Sequence, residues 1–135
     1  FENGDFISLL REHNIALVVA DTAGKWPFME DITADFLYLR LHGDEKIYTN
    51  GYTEPAIDEW ARKVKRWSEG GNPQGTRLVT PAPPAGKERD VFTYFDNDVK
   101  IRAPFDAISL GKRFNLTPDD GMDFSPRPKR RDKGE

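Results

Sequence analysis

Apolar and polar residues follow two different periods along the chain, and the change of period predicts the order of the elements. Apolar or alternating stretches at residues 15–20 (IALVVA), 36–42 (FLYLRLH) and 90–95 (DVFTYF) predict three strands. Helical spacing predicts a first helix that Asp5 caps and Asn14 stops, a second from Thr53 to Gly70-Gly71, and a third over residues 104–114. The order is helix, strand, strand, helix, strand, helix, without hairpin signals. It predicts an α/β fold in which parallel strands are adjacent in chain order and helices cover one face.

The middle predicted strand has two chemically different faces. Leucine occupies positions 37, 39 and 41, while Tyr38, Arg40 and His42 occupy the alternate positions. Side chains alternate across a strand, so a helix layer that covers the leucines leaves the phenol, the guanidinium and the imidazole on the other face. There these groups either remain in solvent or line a site.

Polar residues also end or follow each predicted strand. Asp21 follows the first strand, Arg40 and His42 end the second, and Asp96 and Asn97 follow the third. Sites in parallel α/β folds form at the carboxyl ends of the strands. These residues therefore predict one shared pocket, with Arg40 and His42 within reach of Asp21 or Asp96. The alternative is structural: Arg40 and Asp96 form an internal ion pair, because buried ions are usually paired.

Four ordered motifs then suggest a family: ALVVADTAG, TADFLYLRLHG, YTNGYT and VFTYFDND. From about residue 5 to residue 114 they resemble the carboxy-terminal part of the YecE-like family, domain of unknown function 72 (DUF72). The resemblance implies the C-terminal portion of a TIM-like (β/α) barrel, with three of the eight parallel strands that a full barrel has. It divides the chain into a partial domain over residues 1–114 and a tail over residues 115–135. Its open sheet edges imply a missing N-terminal half of the barrel or self-association as partner.

The resemblance carries the family's polar pattern onto individual positions of this chain. They are Asp21, Arg40, His42, Gly43, Tyr52, Asp96 and Asn97. The family's third strand usually ends closer to Phe-Asn-Asn, so Asp96 makes this pocket more acidic. The family's activity is not established, so the resemblance implies neither a reaction nor a cofactor.

The residue types predict the chemistry of the pocket. Arg40 offers a bidentate fork for a phosphate or carboxylate, and an imidazole such as His42 is suited to proton transfer near neutral pH. His42 and Asp96 are thus the catalytic candidates, and the predicted ligand contacts are Asp21, Arg40, Gly43, Tyr52 and Asn97. The predicted ligand is a phosphate-containing small molecule or a nucleic-acid-derived molecule, which the site binds or hydrolyses. A divalent metal on His42, Asp21 and Asp96 is an alternative, but one histidine with scattered carboxylates is a weak signal, and no metal site is predicted.

Composition narrows the class of protein. The chain has 135 residues, a formal net charge of −3 and no cysteine, which favours one domain and excludes disulfides and thiolate metal sites. The acidic balance disfavours a generally basic nucleic-acid binder. Neither an apolar run of about 18 residues nor a signal peptide is found, so we expect no membrane partner and a cytoplasmic location. Residues 115–135 predict a disordered, basic tail.

Two alternatives stay open at this point. In one, the chain is a truncated, non-catalytic barrel fragment, whose interactions are limited to sheet-edge association or to non-specific nucleic-acid binding by the tail. In the other, the complete protein is an enzyme or ligand-binding barrel for a phosphorylated or nucleic-acid-derived substrate, with Arg40 as the anion clamp and His42 as acid or base. Trp26 and Phe28 would lie at the rim of the pocket, where they either stack on a base or sugar or cover the barrel mouth as packing. Trp60 and Trp67 fit the helical stripe and are predicted core. The glycine- and proline-rich residues 68–89 predict a long, mobile connection.

Overall fold

The computed structural model describes residues 1–43, 51–74, 77–96 and 102–116. Its elements are α1 (Gly4–Glu12), β1 (Val18–Asp21), β2 (Phe36–Leu41), α2 (Glu54–Ser68), β3 (Asp90–Phe95) and α3 (Arg102–Lys112). The predicted order of helices and strands is confirmed. The first strand begins later than predicted, because the backbone before it is bonded to a side chain. The hydroxyl of Thr33 donates to the carbonyl of Ile15 and accepts from the N–H of Leu17, each at 2.7 Å.

The three strands form one parallel sheet in the order β1-β2-β3, as the sequence predicts. In this register Ala20 of β1 lies beside Arg40 of β2, and Arg40 lies beside Tyr94 of β3. The ladder continues past the strand ends: the N–H of His42 donates to the carbonyl of Asp21 at 2.9 Å. The carboxyl ends of all three strands therefore lie at one edge of the sheet.

One face of the sheet packs against α2 and α3. The core on this side contains Val19, Ile32, Leu37, Leu39, Leu41, Ile57, Trp60, Val64, Trp67 and Leu110. The predicted leucine face and the assignment of Trp60 and Trp67 to the core are both confirmed. Because side chains alternate, burial of the leucines directs Tyr38 and Arg40 to the opposite face.

The helix ends follow local capping chemistry. Thr53 caps α2 as predicted, since its hydroxyl accepts from the N–H of Ala56 at 3.3 Å and Pro55 lies in the first turn. For α1 the predicted cap is wrong: the side-chain oxygen of Asn3 accepts from the N–H of Asp5 at 2.8 Å, which makes Asn3 the cap. The third helix begins at Arg102, two residues before the predicted start at Pro104.

Hydrogen bonds attach the connection over residues 68–89 to the segment before β2 and join its own two ends. The N–H of Glu30 donates to the carbonyl of Arg77 at 3.0 Å. The buried carboxylate of Asp31 accepts from the N–H groups of Val79 and Thr80 at 2.8 and 3.0 Å. The guanidinium of Arg89 donates to the carbonyls of Gly70 and Gly71. The mobility of this connection stays a prediction.

The predicted disordered tail lies outside the described residues from 117 onward, and so does Asn97. Within the described ranges, no helix combines the length and the apolar character that crossing a membrane requires.

Candidate functional site

Aromatic rings occupy the sheet face opposite α2 and α3. Tyr38 and Tyr94 stack with ring centroids 5.0 Å apart and planes 24° from parallel. Phe36 and Phe92 meet edge to face at 5.9 Å. Phe92 and Tyr94 remain 45% and 50% exposed, so no described element covers them. The strands thus present an open aromatic surface that leads toward their carboxyl ends.

Arg40 and Asp96 form an ion pair at the end of this surface. Nη2 of Arg40 donates to Oδ2 of Asp96. The two side chains are 44% and 37% exposed, so water reaches both members of the pair. The predicted contact is present, but the two side chains are partly exposed and do not form the buried, internal ion pair of the structural alternative.

His42 joins the same cluster. Its Nδ1 lies 3.3 Å from the backbone oxygen of Asp96 and 3.6 Å from Oδ2 of the same residue. A backbone carbonyl only accepts hydrogen bonds, so this contact favours a proton on Nδ1 and leaves Nε2 as the acceptor of the neutral ring. Asp96 therefore orients both the guanidinium and the imidazole.

A second hydrogen-bonded group joins Asp21, Gly43 and Tyr52. The hydroxyl of Tyr52 donates to Oδ2 of Asp21 at 2.9 Å and accepts from the N–H of Gly43 at 2.8 Å. Burial raises the pKa of Tyr52, and the nearby carboxylate of Asp21 raises it further. The phenol consequently stays protonated and ties the turn after β2 to the end of β1.

Asp106 supports this second group and was not predicted. Its buried Oδ2 accepts from the N–H of Tyr52 at 3.1 Å. Gly51 has a φ of 74°, and a Cβ at this position would lie 2.6 Å from Oδ2 of Asp106. The signal in the sequence is a carboxylate four residues before Leu110, on the buried side of α3.

The structure thus brings six of the seven predicted site residues to one edge of the sheet, in two neighbouring groups. One group contains Arg40, His42 and Asp96, and the other contains Asp21, Gly43 and Tyr52. Asn97, the seventh, lies outside the described residues. Among residues 1–43, 51–74, 77–96 and 102–116, no three histidine or carboxylate side chains are placed to hold a metal ion. The first group thus combines a guanidinium and an imidazole with a carboxylate, and the first two are residue types used in anion binding and proton transfer.

A groove of about 580 Å³ lies beside the second group, next to α2. Phe28 packs there against Trp60 at 6.1 Å, with the guanidinium of Arg77 4.3 Å above its ring. Trp26, in contrast, is 67% exposed. Of the two predicted rim aromatics, Phe28 is therefore packed and Trp26 faces solvent, while Arg77 was missed because it lies in the aperiodic connection.

Comparison with known proteins gives a family and a fold. A family model described as "Protein of unknown function DUF72" matches residues 1–131. The chain is similar to a DUF72 family protein from Enterococcus faecalis V583, at 19% identity and a TM-score of 0.63 over 85% of this chain and 42% of that one. It is also similar to a DUF72 family protein from Thermotoga maritima MSB8, at 20% identity and a TM-score of 0.57 over 84% of this chain and 42% of that one. The chain thus spans about 42% of the length of these structures. No curated protein matches it.

Proposed function

The chain belongs to the DUF72 family, whose function is not established, and from that premise we propose that its strand ends form part of a ligand site. Its fold is a partial TIM-barrel-like domain of three parallel strands with flanking helices. The proposed ligand is a phosphorylated or nucleic-acid-derived molecule. In such folds ligands bind at the carboxyl ends of the strands, where both hydrogen-bonded groups lie.

The contact between Arg40 and Asp96 carries this proposal. It fixes one Nη atom, and within the described residues no other protein acceptor bonds the guanidinium. A guanidinium held in one orientation can donate its remaining N–H groups to a phosphate as a planar fork. The adjacent carboxylate opposes an anion, and the imidazole of His42 offsets this charge when it is protonated.

The aromatic surface supports a ligand with a ring. Tyr94 lies beside Arg40 in the register and stacks on Tyr38. A base or sugar placed on this exposed ring would leave its phosphate near Arg40, because the two side chains share a face of the sheet. Phosphate recognition and stacking are thus combined on adjacent strands.

In the hydrolytic form of the proposal, His42 transfers a proton and Asp96 positions the ring. The proton on Nδ1 is held by the backbone oxygen of Asp96, so Nε2 would accept a proton from water and return it to the leaving oxygen. The activity of the whole protein would also depend on the part of the barrel that the longer relatives contain.

Nuclear magnetic resonance titration of the full chain tests the proposal. We expect a ribonucleoside 5′-monophosphate to shift the amide signals of β2 and β3 at their carboxyl ends, and inorganic phosphate to do so more weakly. Arg40→Met should weaken binding about tenfold, since it removes the charged fork. Lys112→Gln is the control: it removes one exposed positive charge from α3, and binding should be unchanged.

Two results would count against the proposal. Equal affinity of the wild-type chain and Arg40→Met overturns the anion clamp. Hydrolysis of a phosphodiester that persists in His42→Gln overturns the catalytic role, whereas binding without turnover reduces the function to ligand binding.

The second candidate function is association through the sheet, which its exposed aromatic surface favours. β1 and β3 each have one edge unpaired in the described structure, and Val18, Phe92 and Tyr94 are all about half exposed. An unpaired edge next to an apolar face is a site of association. The occupant would be a complementary half-barrel or a second copy, while the tail would bind nucleic acid non-specifically.

Sedimentation velocity at increasing concentration distinguishes this candidate. Phe92→Ser with Tyr94→Ser should abolish a concentration-dependent dimer. Phe105→Ser is the matched control, because it removes an equally exposed aromatic ring from α3. A chain that stays monomeric at high concentration excludes the second-copy form of the association.

A further inference from the structure

The groove beside α2 extends past the Asp21–Tyr52 contact into a second concavity. The larger groove, of about 580 Å³, is lined on its outer side by Trp26 and Arg77. The second, of about 220 Å³, is lined by Arg62 and Arg66, and both contain Lys63 and Glu59. The shared residues make the two concavities one continuous surface along α2, which we call the helix groove.

The exposed indole of Trp26 is held on an ordered turn. The N–H of Trp26 donates to the hydroxyl of Thr22 at 3.1 Å, and the N–H of Lys25 donates to the carbonyl of Thr22 at 3.1 Å. The ring is 67% exposed, whereas Trp60 and Trp67 are 5% and 1% exposed. An exposed aromatic ring on a hydrogen-bonded turn is a stacking platform for any base, because every base has a π-face.

The helix groove contains four cations, of which only Lys63 forms an ion pair within the described residues. Lys63 is paired with Glu30 at 2.7 Å and with Glu59 at 3.7 Å. Within the described parts of the chain, in contrast, Arg62, Arg66 and Arg77 form no ion pair. The lining contains four cations and the carboxylates of Asp21, Glu30 and Glu59, so the helix groove has an excess of one positive charge in a chain whose formal net charge is −3. Such a surface is complementary to a polyanion.

The spacing of these cations suits a single strand. Arg62 and Arg66 are four residues apart on α2, which places their Cβ atoms about 6 Å apart on one face of the helix. Arg77 stands across the groove, where its guanidinium lies above the ring of Phe28. Several cations beside an exposed aromatic ring are features of surfaces that bind single-stranded nucleic acid.

We propose that the helix groove binds single-stranded nucleic acid. One base stacks on Trp26, Arg77 contacts the phosphate next to this base, and the strand continues along Arg62 and Arg66. An unpaired base is required, because a base within a duplex cannot present its face to the indole. The helix groove borders the strand-end site at Asp21 and Tyr52 but uses neither Arg40 nor His42, so this proposal does not depend on the anion clamp or the proton transfer proposed there.

Tryptophan fluorescence of the full chain provides a local readout, since Trp26 is the exposed indole and the other two are buried. We expect a thymidine oligonucleotide of about 12 nucleotides, within the site size of single-strand binders, to quench this fluorescence. Trp26→Phe should remove the quenching. Anisotropy of a labelled oligonucleotide then gives the affinity of each variant.

Removal of a positive charge and removal of a negative charge from the helix groove should change the affinity for the oligonucleotide in opposite directions. Arg62→Gln, Arg66→Gln and Arg77→Gln should each weaken binding about threefold at about 200 mM salt and reduce the salt slope by about 0.7. Glu59→Gln should strengthen binding, since it removes the exposed carboxylate of the groove. Lys112→Gln removes an exposed charge from α3 and should change nothing beyond the general effect of net charge.

Three results would overturn the proposal. Unchanged affinity in the triple arginine variant would place binding on another basic segment of the chain. Equal affinity for a duplex of the same length would contradict the requirement for an unpaired base. Loss of oligonucleotide binding in Arg40→Met, with the helix-groove variants unaffected, would place the strand at the carboxyl ends of β2 and β3 instead.

Discussion

Arg40 and Asp96 meet across the carboxyl ends of β2 and β3, on the sheet face that no described helix covers. Their contact follows from the register. Tyr94 lies beside Arg40, and Asp96 is two residues further along the chain, so Asp96 lies on the same face one step toward the strand ends. The N–H of Asp96 also donates to the carbonyl of Leu41 at 3.0 Å, which holds its backbone beside β2.

Neighbouring positions of β2 should therefore differ sharply in their contribution to stability. Leu39 is fully buried, and we expect Leu39→Ala to lower the free energy of unfolding by about 2–5 kcal/mol. Arg40→Met should lower it by less than about 1 kcal/mol, because a partly exposed ion pair is screened by water. Urea unfolding measures both. If Arg40→Met costs as much as Leu39→Ala, the pair is a structural element and not a preoriented ligand contact.

The hydroxyl of Tyr52 should stabilise the fold in a pH-dependent way. Its pKa is raised in the folded state, so its contribution is complete below the ordinary tyrosine pKa of about 10 and is lost as the pH rises through the folded value. We expect Tyr52→Phe to lower the free energy of unfolding by about 1–2 kcal/mol at pH 8, because Asp21 and Gly43 each lose a hydrogen-bond partner. This difference should narrow above about pH 10.

Urea unfolding of both chains between pH 8 and pH 11 measures the difference. The control is Tyr94→Phe, which removes a hydroxyl from the open aromatic face and should change stability by less than about 0.5 kcal/mol at pH 8. A difference for Tyr52→Phe that widens with rising pH would contradict the assigned hydrogen bonds.

Local periodicity explains what the sequence could predict. The alternation of Leu39 and Arg40 is a period of two, which assigns each side chain to a face without knowledge of the partner strands. Parallel topology then gathers the strand ends at one edge. This is why Asp21, His42 and Asp96 could be expected together before any distance was known.

The missed residues depend on long-range contacts. Asp106 reaches Tyr52 because α3 packs beside α2, and Arg77 reaches Phe28 because the connection after α2 folds back over the groove. The helical period of α3 predicts the helix but not the element it packs against, and the connection has no period. The delayed start of β1 has a similar cause, since the hydroxyl of Thr33 bonds the backbone on both sides of residue 16.

Asp31 should hold the connection that carries Arg77. Its buried carboxylate accepts two backbone N–H groups and the hydroxyl of Thr80. Asp31→Asn replaces one acceptor oxygen with an amide donor. We expect the free energy of unfolding to fall by about 1.5–3 kcal/mol, which is the range for a hydrogen bond to a charged group. Hydrogen exchange at Val79 and Thr80 should accelerate in parallel. Asp35→Asn, at an exposed carboxylate that accepts from Asn14, is the control and should have little effect. Unchanged exchange at both amides would show that the connection is held by other contacts.

Gly51 provides the last prediction, because two separate costs oppose a side chain there. Its φ of 74° is unfavourable for any residue with a Cβ, which costs about 1–2 kcal/mol. A Cβ would also approach Oδ2 of Asp106 to 2.6 Å, where this oxygen accepts from the N–H of Tyr52. Gly24 has a similar φ of 82°, but a Cβ there meets nothing within 4 Å.

Gly24→Ala thus isolates the backbone cost, and Gly51→Ala adds the displacement of Asp106. We expect Gly51→Ala to be the more destabilising variant by at least about 1 kcal/mol, since it breaks a buried hydrogen bond. Because Asp106 positions Tyr52, Gly51→Ala should also shift the amide signal of Gly43, whose N–H donates to the Tyr52 hydroxyl. Equal destabilisation of the two variants would mean that Asp106 does not hold Tyr52 in place.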